Sequence, residues 1–329
     1  MNVAESPRVT VAVVSYNHAL YVERCLRSLM DQTVQPHIIV VDDCSTDASQ
    51  TLIREFVRRT GRPELFTLLL HQQNIGLPAG LNEALRITDT EYFVYLAGDD
   101  WSLPSRLEKQ IRALDSAGEG AGLCYTDCLR SSASGSFDEL LFSEIHSEVW
   151  LPHSPDPYRD LLLRDNWIPA PTVMFRTAAL RAVGTFDESI PYEDHDTYVR
   201  IAARYQLVML PEALSVHREL VDGLGRRLFF SGSHSWLEGW IRMELKQLRW
   251  RSDLTPQLAA RLRVRAIRLY KMGTNDELAA VALAAALKAS RRFDPTGLIY
   301  WSLASLRTAY KKLRATYGPA TTNERDRST

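Results

Sequence analysis

Two adjacent carboxylates follow a short apolar stretch of the sequence. Residues 92–96 are rich in aromatic and β-branched side chains, a pattern typical of a buried strand, and Asp99 and Asp100 come just after it. Neighbouring carboxylates repel each other unless a cation neutralises them, and Mg²⁺ and Mn²⁺ prefer such oxygen ligands. Aspartate is also common before a helix, and Pro104 predicts a helix start. The pair therefore predicts either a divalent-metal site or a helix cap.

Two positions in the second half of the chain could also carry chemistry. The run EDHD at residues 193–196 precedes apolar residues at helical spacing, so Glu193 and Asp194 are expected at a helix N-terminus. Carboxylates there stabilise the helix dipole by a few tenths to about 1 kcal/mol. His217 ends the predicted strand ALSVH. Taken alone, these residue types favour helix capping for the acids and a structural role for the histidine.

Alternating strands and helices position the first acid pair. Apolar, β-branched stretches predict strands, and apolar residues spaced by three or four predict helices between them. The predicted strands are residues 9–15, 37–41, 66–71, 92–96 and 122–125. Helical crossovers between consecutive strands return the chain in the same direction and so make the strands parallel. The first part of the chain therefore predicts a doubly wound α/β fold with a mostly parallel sheet.

Polar residues follow three of these strands at the same end. The sequence is SYN at residues 15–17, DD at 42–43 and DD at 99–100. The carboxyl ends of parallel strands meet at one edge of the sheet, and ligands bind in the crevice beyond that edge. We therefore expect these residues to form one site.

Composition limits the classes of function. A chain of 329 residues suggests one or two domains, and a net charge of −1 gives no reason to expect nucleic acid as a partner. The four cysteines are scattered without zinc spacing, which predicts reduced thiols. The N-terminal residues lack the pattern of a secretory signal, and no apolar stretch approaches the roughly 20 residues of a membrane-spanning helix. These features predict a cytoplasmic protein.

The last third of the chain has a helical period and a strong positive charge. Between residues 242 and 314 there are sixteen Lys and Arg against five Asp and Glu, accompanied by tryptophans. Basic amphipathic helices with tryptophan can lie on an anionic membrane surface. We expect peripheral contact with the inner face of the cell membrane. Packing on the rest of the chain, or pairing in a homo-oligomer, stays open as the alternative.

Six stretches of the sequence resemble, in order and spacing, the family 2 glycosyltransferases. The first three are VAVVSYNHALYVERCLRSLMDQT, VVDDCSTDAS and NIGLPAGLNEAL. The others are YLAGDDWSLPSRLEKQI, VMFRTAALRAVGTFDES and YEDHDTYVRIAA. The resemblance covers about residues 9–217 and implies the GT-A type of doubly wound, mostly parallel α/β fold. We therefore expect a GT-A catalytic domain over residues 1–225, a helical appendage over 226–317 and a loose tail over 318–329.

The resemblance implies that a nucleotide-diphospho-sugar binds at the strand ends. Ser15 and Tyr16 would belong to this site, with Tyr16 stacked on the base. Asp43 would accept a hydrogen bond from the edge of the base. Asn74 and Gly76 would bring the backbone close to the nucleotide, where a side chain would be in the way.

A metal site is implied beside the nucleotide. By resemblance, Asp99 would lie near the ribose or a metal-bound water, and Asp100 would bind Mn²⁺ or Mg²⁺ at the diphosphate. His217 would complete the contacts to the metal or the diphosphate. The resemblance therefore favours one metal site over the two alternative roles, a helix cap for the acid pair and a structural role for the histidine.

The resemblance also assigns the acceptor side of the reaction. Asp194 matches the general base that deprotonates the acceptor hydroxyl, a role that contributes roughly 10²- to 10⁴-fold in rate. Glu193 would orient the acceptor or the following helix. Trp167 would lie either on a wall of the acceptor cleft or in a packed loop.

The expected activity is inverting, metal-dependent transfer of a sugar from a nucleotide-diphospho-sugar to an acceptor hydroxyl. The family implies a UDP-sugar donor and a glycan or lipid-linked acceptor in bacterial polysaccharide or lipid-linked glycan assembly. A catalytically silent protein that binds nucleotide-sugar or a partner is the alternative. The sequence leaves the sugar, the acceptor and the oligomeric state open.

Overall fold

The computed structural model describes residues 6–132, 137–164, 166–220, 223, 234–248, 250–290 and 294–317. The chain divides into two compact units, Met1–Ser231 and Gly232–Thr329. The boundary expected at residues 225 and 226 and the tail expected over residues 318–329 lie outside the described residues. Each unit has its own hydrophobic core.

The first unit is built on one mixed sheet. Its strands follow the order β3-β2-β1-β4-β8-β6-β9-β5, and β7 pairs with β6. The strands are β1 (Val9–Ser15), β2 (His37–Asp42), β3 (Phe66–Leu70), β4 (Tyr92–Ala97), β5 (Trp101–Ser102), β6 (Ala121–Ser131), β7 (Phe137–Leu141), β8 (Met174–Arg176) and β9 (Gln206–Arg218). The predicted α/β fold is confirmed.

Strands β3, β2, β1 and β4 form the parallel half of the sheet. Strand β1 lies between β2 and β4 and is almost entirely buried, as its unbroken run of apolar residues predicts. Ser15 pairs with Asp42 across one neighbour, and Val14 pairs with Ala97 across the other. The carboxyl ends of β2, β1 and β4 therefore lie side by side, as expected.

The other half of the sheet adds short antiparallel pairs to the parallel ones. Strand β8 runs antiparallel to both β4 and β6, whereas β6 and β9 are parallel to each other. The two-residue strand β5 pairs antiparallel with β9, Trp101 opposite Val216. Such short strands lack the alternation or the apolar run that would reveal them in a sequence. The sheet is therefore mixed, with parallel pairing concentrated in its first half.

Helices cover the sheet and connect its strands. Those of the first unit are α1 (Val22–Met30), α2 (Ser49–Thr60), α3 (Leu77–Arg86), α4 (Arg106–Ala117), α5 (Phe142–Ile145), α6 (Pro157–Leu163), α7 (Thr177–Ala182) and α8 (Asp194–Ala202). Single 3₁₀ turns lie at Pro63–Leu65 and Ala170–Thr172. Helix α1 buries Val22, Cys25, Leu26 and Leu29, whose spacing of three or four puts them on one face.

Helix α3 starts where the backbone requires glycine. Gly76 precedes the helix with φ of +90°, a conformation that residues with a side chain rarely adopt. Pro78 lies in the first turn, where its missing N–H leaves no helical hydrogen bond unmade. The start of α3 is thereby fixed next to the carboxyl ends of β2 and β3.

The second unit is helical in its described part, as predicted. Its helices are α9 (His234–Gln247), α10 (Thr255–Met272), α11 (Asp276–Ala289) and α12 (Pro295–Tyr317). Their core includes Leu262, Leu269 and the small residues of α11, which allow close helix packing. Within the described residues, no helix is both long and apolar enough to cross a membrane.

Candidate functional site

Asp43 is the centre of a hydrogen-bond network beyond the end of β2. Its Oδ1 accepts from the backbone N–H of Ile75 at 2.8 Å, and its Oδ2 accepts from that of Gly76 at 2.8 Å. The ring Nδ1 of His71 lies 2.9 Å from Oδ1. Asn74 donates through Nδ2 to the backbone carbonyl of Asp43 at 3.1 Å. The predicted residues Asp43, Asn74 and Gly76 therefore lie together.

The loops after β1 and β2 are tied to each other next to Tyr16. The backbone N–H of Asn17 donates to Oγ of Ser45, and the N–H of Thr46 donates to Oδ1 of Asn17, both at 2.8 Å. Asn17 has a left-handed φ of 57°, which asparagine tolerates better than most residues. Tyr16 keeps 39 % of its surface exposed on this braced loop, as a stacking platform requires. The Ser15 hydroxyl is buried without a hydrogen-bond partner among the described residues.

Pairing of β5 with β9 brings Asp100 against His217. Because Trp101 pairs with Val216, Asp100 lies opposite the end of β9. Oδ1 of Asp100 is 3.2 Å from Nδ1 of His217 and accepts from the backbone N–H of Arg218 at 2.8 Å. The His217 side chain is 47 % exposed, so a ligand can reach it from solvent. The two residues expected at a metal are thus neighbours, although 117 positions apart in sequence.

The helix-cap alternative for this acid pair is wrong. Helix α4 begins at Arg106, and Ser105 before it makes no side-chain capping hydrogen bond. The described contacts of Asp100 are made to β9 instead, and Nε of Arg218 donates to the backbone carbonyl of Asp99 at 3.1 Å. Both acids are therefore held at the sheet edge rather than on the following helix.

The acid pair carries excess negative charge. Burial and then the charge of Asp100 raise the pKa of Asp99 to about 6. Burial alone would lower the pKa of His217, but Asp100 and Asp99 outweigh it and raise the pKa to about 9. The imidazole Nε2 of His18 lies 3.9 Å from Oδ1 of Asp99. A divalent cation would compensate this charge.

The side chains fit a divalent cation as a partial ligand set. The carboxylate of Asp100 suits Mg²⁺ or Mn²⁺, and the softer imidazole of His217 favours Mn²⁺ of the two. Among the described residues, no group of three or more His, Cys, Asp or Glu side chains is arranged to hold a metal. Any further ligands would have to come from solvent or from a bound substrate.

Glu193 and Asp194 form a second coupled acid pair at the start of α8. Glu193 is buried and makes no capping hydrogen bond, so the capping alternative does not describe it. Burial and then the charge of Asp194 raise the pKa of Glu193 to about 8. Burial also raises the pKa of Asp194, although Oδ2 accepts from Nδ2 of Asn166 at 2.9 Å. At neutral pH Glu193 therefore holds its proton.

Trp167 is packed inside the protein. It is 1 % exposed, and its Nε1–H donates to the hydroxyl of Tyr125 at 3.3 Å. This environment agrees with the packed-loop alternative. A direct contact of Trp167 with an acceptor stays a prediction, whereas the neighbouring Asn166 reaches Asp194 through its side chain.

Four residues at the site were not singled out from the sequence. His71 directly follows β3 and so has the same signal, a polar residue at a strand end, as the acids that were recognised. His18 lies in the polar run after β1. Arg218 and Asn166 contact the acids from segments distant in sequence, for which no local pattern exists.

The protonated state of Glu193 predicts a pH-dependent difference in stability. Its pKa of about 8 in the folded chain lies above 4.5, so its contribution to stability is complete below pH 4.5 and is lost as the pH rises through 8. Glu193→Gln keeps the shape without the charge. We expect the melting temperature of the variant minus that of the wild type to increase from pH 4.5 to pH 8.5, measured by thermal unfolding. The exposed Glu119→Gln is the control, and an equally flat difference for both variants would contradict the assignment.

The chain is similar to known proteins in both sequence and structure. Residues 10–138 match the model of glycosyl transferase family 2. An uncharacterized protein of Mycobacterium tuberculosis is 28 % identical over 231 residues, which is 69 % of this chain and 63 % of that protein. The match thus spans less than two thirds of the length of this relative.

Two solved structures are similar over most of the chain. A mannosyltransferase from Pyrobaculum calidifontis, in complex with GDP-Man and Mn²⁺, aligns with a TM-score of 0.57 and 21 % identity, covering 96 % of this chain and 82 % of its own. Staphylococcus aureus TarS 1-349 with UDP-GlcNAc aligns with a TM-score of 0.55 and 15 % identity, covering 93 % and 92 %. At these identities the likeness establishes the fold. Residues 10–138 therefore match glycosyl transferase family 2, and the structural likeness shows that the chain has the GT-A fold.

Proposed function

We propose that the chain is an inverting, metal-dependent glycosyltransferase that moves a sugar from a nucleotide-diphospho-sugar, with a UDP-sugar favoured, to an acceptor hydroxyl. The proposal rests on one observation. Three strands with polar residues at their carboxyl ends lie side by side at one edge of the sheet, and Asp100 is in hydrogen-bond contact with His217 there. The family match and the two nucleotide-sugar complexes among the structural neighbours support it.

The nucleotide would lie across the ends of β2 and β1. Tyr16 would stack on the base, since its exposed ring is carried by a loop that the neighbouring loop braces. Asp43 would accept from the base edge. The backbone at Asn74 and Gly76 would line the other side, and Ser15 and Asp99 would complete the nucleotide-sugar site next to β4.

Asp100 and His217 would hold Mn²⁺ or Mg²⁺ at the diphosphate. When bound, the cation supplies Lewis-acid stabilisation of the negative charge on the departing nucleoside diphosphate. The protein prepares this position by burying two carboxylates whose mutual repulsion raises the pKa of Asp99. Arg218 keeps Asp100 in place through its backbone N–H.

Asp194 would remove the proton from the acceptor hydroxyl. Its raised pKa makes it a stronger base near neutral pH than an ordinary aspartate, and Asn166 fixes its orientation. Glu193 keeps its proton at neutral pH and so adds no second negative charge beside Asp194. The deprotonated oxygen would attack the anomeric carbon opposite to the nucleotide in one displacement, which inverts the configuration. Glu193 and Trp167 are assigned to the acceptor side.

The helical unit would bring the enzyme to an anionic membrane surface, as expected of a cytoplasmic enzyme that acts on a lipid-linked or polysaccharide acceptor. Helix α12 carries exposed apolar residues at intervals of four, three and four, which align on one face: Ile299, Leu303, Leu306 and Tyr310. The same helix contains basic residues and no acid. An apolar stripe with flanking cations is the pattern of a helix that lies in a membrane interface.

A silent nucleotide-sugar-binding protein is the competing function. Such a protein would share the nucleobase and metal sites but would not need a general base to deprotonate an acceptor. The environment of Asp194 favours the enzyme, because burying a coupled carboxylate pair is costly and serves no evident role in binding a nucleotide.

Removal of the proposed base should abolish turnover without loss of donor binding. We expect Asp194→Asn to lower kcat by roughly 10²- to 10⁴-fold while nucleotide affinity stays within about twofold of wild type. Release of the nucleoside diphosphate in the presence of acceptor measures kcat, and calorimetry measures affinity. Asp89→Asn, an exposed residue before β4, is the matched control. Near-normal turnover in Asp194→Asn would disprove the base assignment.

Nucleotide binding should depend on a divalent cation and on Asp100. Titration of the wild type with UDP is expected to show tight binding with Mn²⁺ and at least about tenfold weaker binding after chelation, because the diphosphate then meets buried carboxylates without compensation. Asp100→Ala should remove most of the Mn²⁺ effect. A Mn²⁺ dependence that survives in Asp100→Ala would show that the metal binds elsewhere.

The membrane proposal can be tested with vesicles. Sedimentation with phosphatidylglycerol vesicles should retain the wild type, and pure phosphatidylcholine vesicles should retain much less, because the basic residues favour anionic lipid. Replacement of both Leu303 and Leu306 by serine should reduce binding at least about tenfold, since two apolar side chains then leave the interface. Val264→Ser, which alters an exposed apolar residue of α10, is the control. Equal binding of all proteins would refute contact through α12.

A further inference from the structure

His71 lies between two carboxylates at the edge of the proposed base site. Its Nδ1 is 2.9 Å from Oδ1 of Asp43, and its Nε2 is 2.9 Å from Oε2 of Glu83 on α3. An ionised carboxylate can only accept hydrogen bonds, so both ring nitrogens must donate and the ring is an imidazolium. In agreement, burial would lower the pKa of His71, but Asp43 and Glu83 raise it overall.

The ring is held in this position from several sides. The backbone N–H of His71 donates to the carbonyl of Asp42 at 2.9 Å, and the carbonyl of His71 accepts from Nε2 of Gln50 at 3.2 Å. Glu83 anchors the far nitrogen. These contacts therefore fix the position of the His71 ring beside Asp43.

The hydrogen bonds around Asp43 leave it one free acceptor position. A carboxylate has about four lone-pair positions, two on each oxygen. On Oδ1, the N–H of Ile75 and the ring of His71 occupy both. On Oδ2, the N–H of Gly76 occupies one. The remaining position lies on Oδ2 of a side chain that is 13 % exposed.

Nucleobases differ in how many donors they offer to such a carboxylate. Uracil and thymine present a single ring N–H between two carbonyl oxygens. Guanine presents a ring N–H beside an amino group, a pair of donors that requires both oxygens of a carboxylate. Cytosine has an acceptor nitrogen at the corresponding ring position. A carboxylate with one free acceptor position therefore satisfies uracil or thymine and leaves a donor of guanine unpaired, at a cost in affinity.

On the basis of the proposed function, we propose that His71 is a positioning residue that determines base specificity. Because His71 occupies Oδ1 of Asp43, the Asp43 carboxylate can accept only one hydrogen bond from the base. The site therefore selects uracil or thymine over guanine. Glu83 contributes to this specificity because it accepts a hydrogen bond from the second ring nitrogen of His71. His71 acts through Asp43 and makes no contact with the nucleotide itself.

The test is calorimetric titration of the full chain with UDP and with GDP, each in the presence of Mn²⁺. The wild type should bind UDP at least about tenfold more tightly than GDP. His71→Phe keeps a ring but no donor and frees a position on Oδ1, so the UDP preference should fall by about tenfold. His71→Gln retains a donor and should restore most of the preference. His71→Leu repeats the measurement should the phenylalanine variant fail to fold.

The outcomes separate this proposal from the proposed function. A wild type that binds UDP tightly while His71→Phe and His71→Leu keep the full preference would overturn the role of His71 and leave the transferase proposal intact. Equal loss of preference in His71→Gln and His71→Phe would reveal a packing role and would overturn it too. Binding of neither nucleotide by the wild type would refute both proposals. Preference of the wild type for GDP would refute the single-acceptor argument.

Discussion

The parallel register of β2, β1 and β4 is the constraint on which the site depends. Ser15 pairs with Asp42, and Val14 with Ala97, so three chain segments leave the sheet next to each other. Side chains alternate between the faces of a strand, so a shift of one residue in β2 would exchange the places of the buried Asp42 and the partly exposed Asp43. Strand β1 lies at the centre of this arrangement and is covered on both sides, as its nearly continuous apolar sequence requires.

Adjacent acids take different roles because of this alternation. Asp42 is completely buried and accepts from the backbone and hydroxyl of Ser45 and from Gln50, so it organises the loop. Asp43 points to the sheet edge, where its carboxylate meets the segment before α3. A doublet of aspartates in the sequence thus corresponds to one structural and one functional residue. Residue type alone cannot distinguish these two environments.

Much of the fold and part of the site could be predicted from the sequence. The strand-end acids were predictable because apolar strands and their polar ends are local patterns, and the resemblance to a family brought in Asp194 and His217. The two-residue β5, the antiparallel β8 and the contacts of Asn166 and Arg218 were not predictable. They depend on pairing between segments that are far apart in the chain and carry no periodicity of their own.

Arg218 contacts both acids of the pair as well as two aromatic rings. Its backbone N–H binds the carboxylate of Asp100, and its Nε binds the carbonyl of Asp99. Its guanidinium lies over the rings of Tyr21 and Trp101, 4.7 and 5.1 Å from their centroids. Cation–π contacts draw the charge toward these aromatic faces. Burial and then the charge of Asp100 keep the pKa of Asp99 raised to about 6 with this cation beside the pair, and a bound divalent cation would compensate the two carboxylates further.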